Sequence, residues 1–235
     1  MKHFSTFLAI LLLITSCGNN EETQIQVGKD VSEVTTVPKL FWRPTPFEKK
    51  LKGAVIVASL KGNVRVINLF ESNESDKNNA KPTTLKAGEI VLQGSTIVSG
   101  KNSEVDLLFT NGTSAKIGSN SKLTISAIWQ KDFQESKRKV ADINEETSPT
   151  RIDLDLNIGD LIVDVKKLKK ESSFRVKSPL GVAGIRGTQF RIFSENEKVE
   201  LSVLKGEVSF WDQKNEENKI TNSEKLVIKS DIEPI

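Results

Sequence analysis

The sequence predicts a predominantly β protein with one inserted amphipathic helix, and three observations predict it. Branched apolar residues crowd Val55-Ile-Val-Ala-Ser59 and Val64-Arg-Val-Ile-Asn-Leu-Phe70, the composition of strands. Val105, Leu107 and Phe109 alternate with Asp106 and Leu108, and Ile152, Leu154, Leu156 and Ile158 alternate with Asp153, Asp155 and Asn157, the period of a half-buried strand. A short pattern then recurs: Leu60-Lys-Gly62-Asn-Val64, Leu85-Lys-Ala-Gly88-Glu-Ile90, Leu156-Asn-Ile-Gly159-Asp-Leu161 and Leu204-Lys-Gly206-Glu-Val208. Each has a Leu, a Gly able to turn the chain tightly, and a polar residue opening a strand. The glycines are irregularly spaced, so the pattern marks similar corners rather than a regular repeat array.

The other elements follow in order. Glu71 to Thr84 is polar, with Ala80 and Pro82 its only apolar side chains, and reads as a loop. Asn111-Gly112 predicts a type I′ hairpin turn, since both residues tolerate positive φ. Ala127 to Glu146 places Trp129, Phe133, Val140 and Ile143 at spacings of four, seven and three among mixed charges. That spacing predicts an amphipathic helix over about 127–146, with Ser126 as N-cap and Pro149 beyond its end.

The N-terminus reads as an address. Lys2 and His3 precede an apolar run from Phe4 to Ile14, short of the roughly 20 residues a spanning helix needs and of signal-peptide length. Ile14-Thr15-Ser16-Cys17-Gly18 resembles the bacterial lipobox, which implies cleavage before Cys17 and acylation of its thiol and new amino terminus. Two or three acyl chains anchor a protein stably where one does not. Gly18 stands where an aspartate would signal inner-membrane retention, so the outer membrane is expected, with periplasmic and surface faces both open. The polar stretch from Gly18 to Pro38 reads as a tether, and Lys39-Leu-Phe41-Trp42-Arg-Pro44-Thr-Pro46-Phe47 as an extended aromatic-proline arm. Prolines exclude helix there, and Phe41, Trp42 and Phe47 are candidate partner-docking residues. The expected organisation is a signal peptide over 1–16, lipidated Cys17 with tether and arm over 17–50, a β-domain over 51–229 and a tail over 230–235.

Composition narrows the chemistry. The 34 basic residues nearly match the 31 acidic ones, leaving a net charge of +3, so a nucleic-acid partner is not expected. The chain's one His and one Cys are His3 and Cys17, and it has no Tyr. The mature chain would therefore offer neither His-based nor thiol catalysis, nor a His or Cys zinc site. Asp153-Leu-Asp155-Leu-Asn157 has Ile158 where a calcium loop needs Gly, so it reads as a strand. No metal, no small-molecule cofactor and no enzyme activity are expected. The remaining catalytic option is a carboxylate-based hydrolase using a pair such as Asp160 and Asp164.

The stretch Phe174-Arg-Val-Lys-Ser178-Pro179-Leu-Gly-Val-Ala183-Gly184-Ile185-Arg186-Gly187-Thr188-Gln-Phe190-Arg-Ile, followed by Leu204-Lys-Gly206-Glu207-Val208, resembles the signature of the FecR domain family. Ile185 replaces the family's usual Val. The segment Leu85 to Ser103 is similar to its first half, and the resemblance covers roughly residues 55–212. It implies an irregular β-solenoid-like or sandwich domain of FecR type that works by protein contact in the cell envelope. Family members that give it its name regulate a sigma factor across the membrane, but this chain is expected to lack the cytoplasmic segment for that. Gly184 and Gly187 are expected to let Arg186 reach over a neighbouring strand toward an acid or carbonyl groups, with a ligand contact as the rival role. The leading expectation is a lipid-anchored, non-catalytic envelope module for sensing or scaffolding. The alternative is a surface adhesin binding host or matrix molecules.

Overall fold

Side-chain alternation gives most strands one dry face, and those faces close against each other across two sheets. The computed structural model describes residues 50–68, 81–131 and 144–230. With strands numbered in chain order, the first sheet runs β4 (Thr83–Thr84), β3 (Val64–Asn68), β6 (Ser95–Ser99), β9 (Lys122–Lys131), β10 (Thr150–Asp164), β11 (Ser173–Ser178), β12 (Gly181–Ile185), β15 (Val208–Asp212), β16 (Glu217–Ile220). A short β1 (Lys50–Lys52) pairs with the far end of β9. The second sheet runs β5 (Ile90–Val91), β2 (Val55–Lys61), β7 (Glu104–Phe109), β8 (Ser114–Ile117), β10, β13 (Gln189–Glu195), β14 (Lys198–Lys205), β17 (Lys225–Lys229). Among the described residues both sheets end in edge strands, so the domain is an open all-β sandwich and not a barrel.

β10 belongs to both sheets. Its first half pairs with β9 and β11, and residues 159–164 pair with β8 and β13. Around it the chain lays hairpins alternately on the two sheets: β11–β12 on the first, β13–β14 on the second, β15–β16 on the first. The result is the sandwich form of the expected architecture. Its core joins both inner faces, including Phe109, Phe174, Phe190 and Phe210, all buried. Phe109 from the second sheet meets Phe174 from the first edge to face, centroids 6.2 Å apart, a contact worth about 0.5–1.5 kcal/mol beyond its area.

Where the chain passes between sheets, backbone amides leave one ladder before entering the next and need other partners. Two corners solve this identically. Ser103 and Ser121 are buried; their hydroxyls accept the Asn63 and Asp160 amides at 2.9 and 3.0 Å. Each donates to a carbonyl two residues back, Lys101 or Ser119, at 3.1 Å. The residues before the accepted amides are Gly62 and Gly159, with φ +79 and +106. A Cβ on Gly62 would lie 2.4 Å from the Ser103 hydroxyl, and one on Gly159 2.0 Å from that of Ser121. Only glycine fits there, on conformational and on steric grounds.

The corners correct several sequence expectations. Ile158 does not share a face with Ile152, Leu154 and Leu156: the register shifts between Leu156 and Ile158, and Leu161 and Val163 carry the buried phase onward. Asn111-Gly112 is not a type I′ turn, because Gly112 has positive φ and Asn111 does not. Gly112 N–H donates to Phe109 O and Phe109 N–H to Thr113 O, both at 2.9 Å, the geometry of a three-residue loop with a bulge. Asn111 is instead fully buried, accepting the Thr113 amide at 3.0 Å. The expected helix also starts too early. Ala127 to Lys131 continues β9, where Ser126 is no N-cap but the extra residue of a bulge opposite Asp153 and Leu154, its hydroxyl bonded to Asp155 at 2.7 Å. Strand pairing on both sides overrides the helical spacing of these residues, and residues 132–143 lie outside the described ones.

Ser121→Ala leaves the Asp160 amide without its partner and is expected to cost about 1–3 kcal/mol. Gly159→Ala is expected to cost at least as much, since left-handed backbone strain of about 1–3 kcal/mol adds to the clash. Urea unfolding measures both, and wild-type midpoints in either variant would contradict this account of the corners.

Candidate functional site

The signature stretch folds into one hairpin and the corner after it. Ser178 ends β11 and its hydroxyl donates to Gly181 O at 2.9 Å, closing a turn through Pro179 and Leu180. Ala183 is fully buried on β12, and Gly184 sits between Arg175 of β11 and Ser209 of β15. Arg186 and Gly187 form the passage to the second sheet. Thr188 and Phe190 are buried beyond it. The Thr188 hydroxyl donates to Glu207 O at 2.8 Å and sits 2.8 Å from where a Cβ on Gly206 would lie. So Gly206-Glu207 packs on Thr188 much as Gly62 packs on Ser103, and the two ends of the signature meet at one corner.

Arg186 is exposed, and its guanidinium donates to the Lys169 carbonyl at 3.2 Å. Lys169 lies in the loop from β10 to β11, whose Val165 amide bonds Thr188 O at 3.0 Å. The same loop is held from inside by Glu146, only 2% exposed. The Glu146 carboxylate accepts the Lys169 amide at 2.5 Å, the Thr150 hydroxyl at 2.7 Å, and the Ser172 hydroxyl. Ser172 in turn accepts the Thr150 amide at 3.0 Å, and Asn111 donates to the Thr150 hydroxyl at 3.2 Å. A buried carboxylate is retained when donors surround it. Lys169 is thus gripped at both ends of one residue, its N–H by Glu146 and its C=O by Arg186.

Acids elsewhere are committed to structure. Asp153 pairs with Arg175 at 2.6 Å and Arg151 at 2.8 Å, which occupies the stretch that superficially resembles a calcium loop. Asp160 takes a two-pronged contact from Arg191 at 2.7 and 2.9 Å, and Asp164 pairs with Lys166 at 3.0 Å. These two carboxylates stand four residues apart on one strand, so their Cα atoms are about 13 Å apart. A glycosidase pair needs roughly 5–9.5 Å between carboxyl groups. Among the described residues, no group of three or more His, Cys, Asp or Glu could hold a metal.

The outer face of the second sheet carries the densest ion pairs. The Lys116 ammonium is raised above its usual value, chiefly by attraction to Asp106. The Arg191 guanidinium is raised by its hydrogen bonds to Asp160. Hydrogen bonds from Lys225 and Lys198 hold the Glu200 carboxyl below the usual carboxylate range. Between these pairs lie exposed apolar side chains.

Of the residues singled out from the sequence, Arg186, Gly187, Thr188, Gly206 and Glu207 lie at this corner, Ala183, Gly184 and Phe190 on the strands leading to and from it, and Ser178 and Pro179 at the far turn of the hairpin. Cys17, Phe41, Trp42 and Phe47 lie outside the described residues. Sequence reasoning missed Glu146 and its partners, which carry no local pattern. It also missed the buried corner serines, although Gly-x-Asn-Ser occurs at both 100–103 and 118–121.

Residues 95–209, from β6 into β15, match the family of FecR proteins. Two crystal structures of a candidate anti-sigma factor from Parabacteroides distasonis ATCC 8503, at 1.65 and 2.50 Å resolution, are similar at 12% identity. Their TM-scores are 0.43 and 0.42, covering 58% of this chain and 55% of those chains. The likeness therefore spans about half of each protein. No curated protein matches the chain. Among the described residues no helix is long and apolar enough to cross a membrane.

Glu146→Gln puts an amide donor where one carboxylate oxygen accepts, either from the Thr150 hydroxyl or from Lys169 and Ser172, and is expected to cost roughly 1–3 kcal/mol. Arg186→Ala is expected to leave global stability within about 1 kcal/mol, as one exposed hydrogen bond. Hydrogen exchange followed by mass spectrometry separates the two. Arg186→Ala is expected to deprotect residues 165–172 and Arg186→Lys to do so less. Unchanged exchange there in Arg186→Ala would remove Arg186 from the clamp.

Proposed function

We propose that the protein is a lipid-anchored, non-catalytic module of the bacterial cell envelope that acts by protein contact in sensing or scaffolding. The observation that carries this reading is the match to FecR proteins over residues 95–209, a family of envelope-associated regulators. Two features support it. Buried Glu146 and the ion-paired Asp153 and Asp160 are engaged in holding loops and strands. The lipobox-like run ending at Cys17 supplies a chemical reason for the chain's lone cysteine. Arg186 serves the fold in this reading, by clamping the β10–β11 loop, and the signature residues position that clamp. Phe41, Trp42 and Phe47 form a second contact segment between tether and domain.

Cell fractionation with protease shaving tests the anchor and the compartment together. The wild type is expected in the outer-membrane fraction, and Cys17→Ala in the soluble one; equal membrane retention of both would sink the lipoprotein reading. Protection in intact cells with degradation after permeabilisation is the outcome expected for an envelope relay. Degradation in intact cells would overturn the periplasmic role in favour of a surface adhesin.

A further inference from the structure

The chain has one Asn-Gly pair, Asn111-Gly112. Asparagine is a thermolabile residue, and a following glycine exposes it most. With no side chain, glycine leaves its own nitrogen free to approach the Asn amide carbon and gives the backbone the freedom to bring the two together. The fold places this reactive pair out of water. Asn111 and Thr113 are fully buried, and Gly112 between them has φ +89.

Both reacting groups are held. The Asn111 side chain accepts the Thr113 amide at 3.0 Å through Oδ1 and donates from Nδ2 to the Thr150 hydroxyl at 3.2 Å, which fixes the plane of its amide. The Gly112 N–H, whose nitrogen would attack, donates to Phe109 O at 2.9 Å, and the Phe109 amide closes the loop on Thr113 O at 2.9 Å. That bond engages the very proton the nitrogen must lose. Thr150 is fixed in turn. Its hydroxyl donates to Glu146 at 2.7 Å and its amide to Ser172 at 3.0 Å, while Glu146 also accepts the Lys169 amide. A hydroxyl has one proton. Thr150 gives its proton to Glu146, so toward residue 111 it only accepts. That polarity suits an amide NH2 and opposes a carboxylate.

We propose that Asn111-Gly112 is a latent self-modification site, which the closed turn between β7 and β8 protects and which opening of that turn makes reactive. Once the bond to Phe109 O is lost, the Gly112 nitrogen gives up its proton and bonds to Asn111 Cγ. The Cγ–Nδ2 bond breaks and the side-chain nitrogen leaves as ammonia. Solvent water then opens the five-membered imide at either carbonyl, leaving aspartate or, with the main chain rerouted through Cγ, isoaspartate. Neither product fits the closed turn. Each carries a carboxylate, and the Thr150 hydroxyl that Asn111 contacted is already committed to Glu146. A buried charge without donors is costly. Isoaspartate also adds a backbone atom to a three-residue loop. Opening is therefore recorded irreversibly, and it weakens the Thr150 and Glu146 contacts that hold Lys169. No partner enters this chemistry, so it is independent of the protein-contact reading.

The test incubates the full chain in mildly alkaline buffer and follows residue 111 by peptide mass spectrometry, with isoaspartate scored by enzymatic methylation. Conversion of amide to acid in guanidinium is expected to be at least tenfold faster than in buffer. Thr150→Val, which removes the acceptor of the Asn111 amide, is expected to speed conversion in buffer at least threefold; the wild-type comparison decides if that variant fails to fold. Asn111→Asp, equivalent to one product, is expected to lower the urea midpoint and to deprotect residues 165–172 in hydrogen exchange. Equal conversion in buffer and in guanidinium would overturn the protection. A folded Thr150→Val converting at the wild-type rate would overturn the lock through Thr150. A wild-type midpoint and exchange pattern in Asn111→Asp would overturn the irreversible consequence.

Discussion

The fold depends on how a backbone amide is satisfied when the chain leaves one sheet for the other. An open sandwich of alternating hairpins makes that passage many times, and each passage takes peptide groups out of a ladder near a dry core. Here a buried hydroxyl from a neighbouring corner takes the amide, at Ser103 and Ser121, and Thr188 bonds a carbonyl by the same logic. The hydroxyl can approach only because glycine precedes the bonded residue. Corners are therefore cross-linked to corners, and the sheets are held in register at their margins as well as through their core.

The FecR-like signature stretch ends in one of these corners. Its glycines and threonine make the passage from β12 to β13, and its arginine reaches from the passage to the loop that β10 leaves behind. Glu146 seizes the same residue from within. The carboxylate is buried among donors and the guanidinium is in water, so the two grips differ in kind. The passage after the signature hairpin is thereby joined to the loop that leaves the shared strand.

The two outer faces divide the labour. The first sheet's outer face sets Arg65, Asp153, Arg175 and Lys177 beside partly exposed Trp129, Val182 and Trp211, while the second mixes exposed aliphatic side chains with acids and bases that are mostly paired among themselves. Pairing matters, because a face whose charges are already balanced presents its apolar ground without a strong electrostatic demand of its own. The two bulges on this face, at Ala58 and Leu204, interrupt the ladders of β2 and β14.

The sequence by itself determined the β class, the strands from Val55 onward and the turning glycines, because period-two alternation and glycine's backbone freedom are local properties. It also carried the FecR resemblance, whose Gly187-Thr188 and Gly206-Glu207 proved to meet at one corner. Phase was what it could not carry. The flip at Ile158 comes from a register shift, the strand over Ala127 to Lys131 from pairing on both sides, and the buried Asn111 from packing against Thr150, and none of these is local in sequence. Glu146 was equally hidden, since one acid in a charged stretch looks like solvent-facing surface until Thr150, Lys169 and Ser172 surround it. Tertiary structure alone decided which alternating face would be dry at each point, because that choice depends on which sheet a strand has reached.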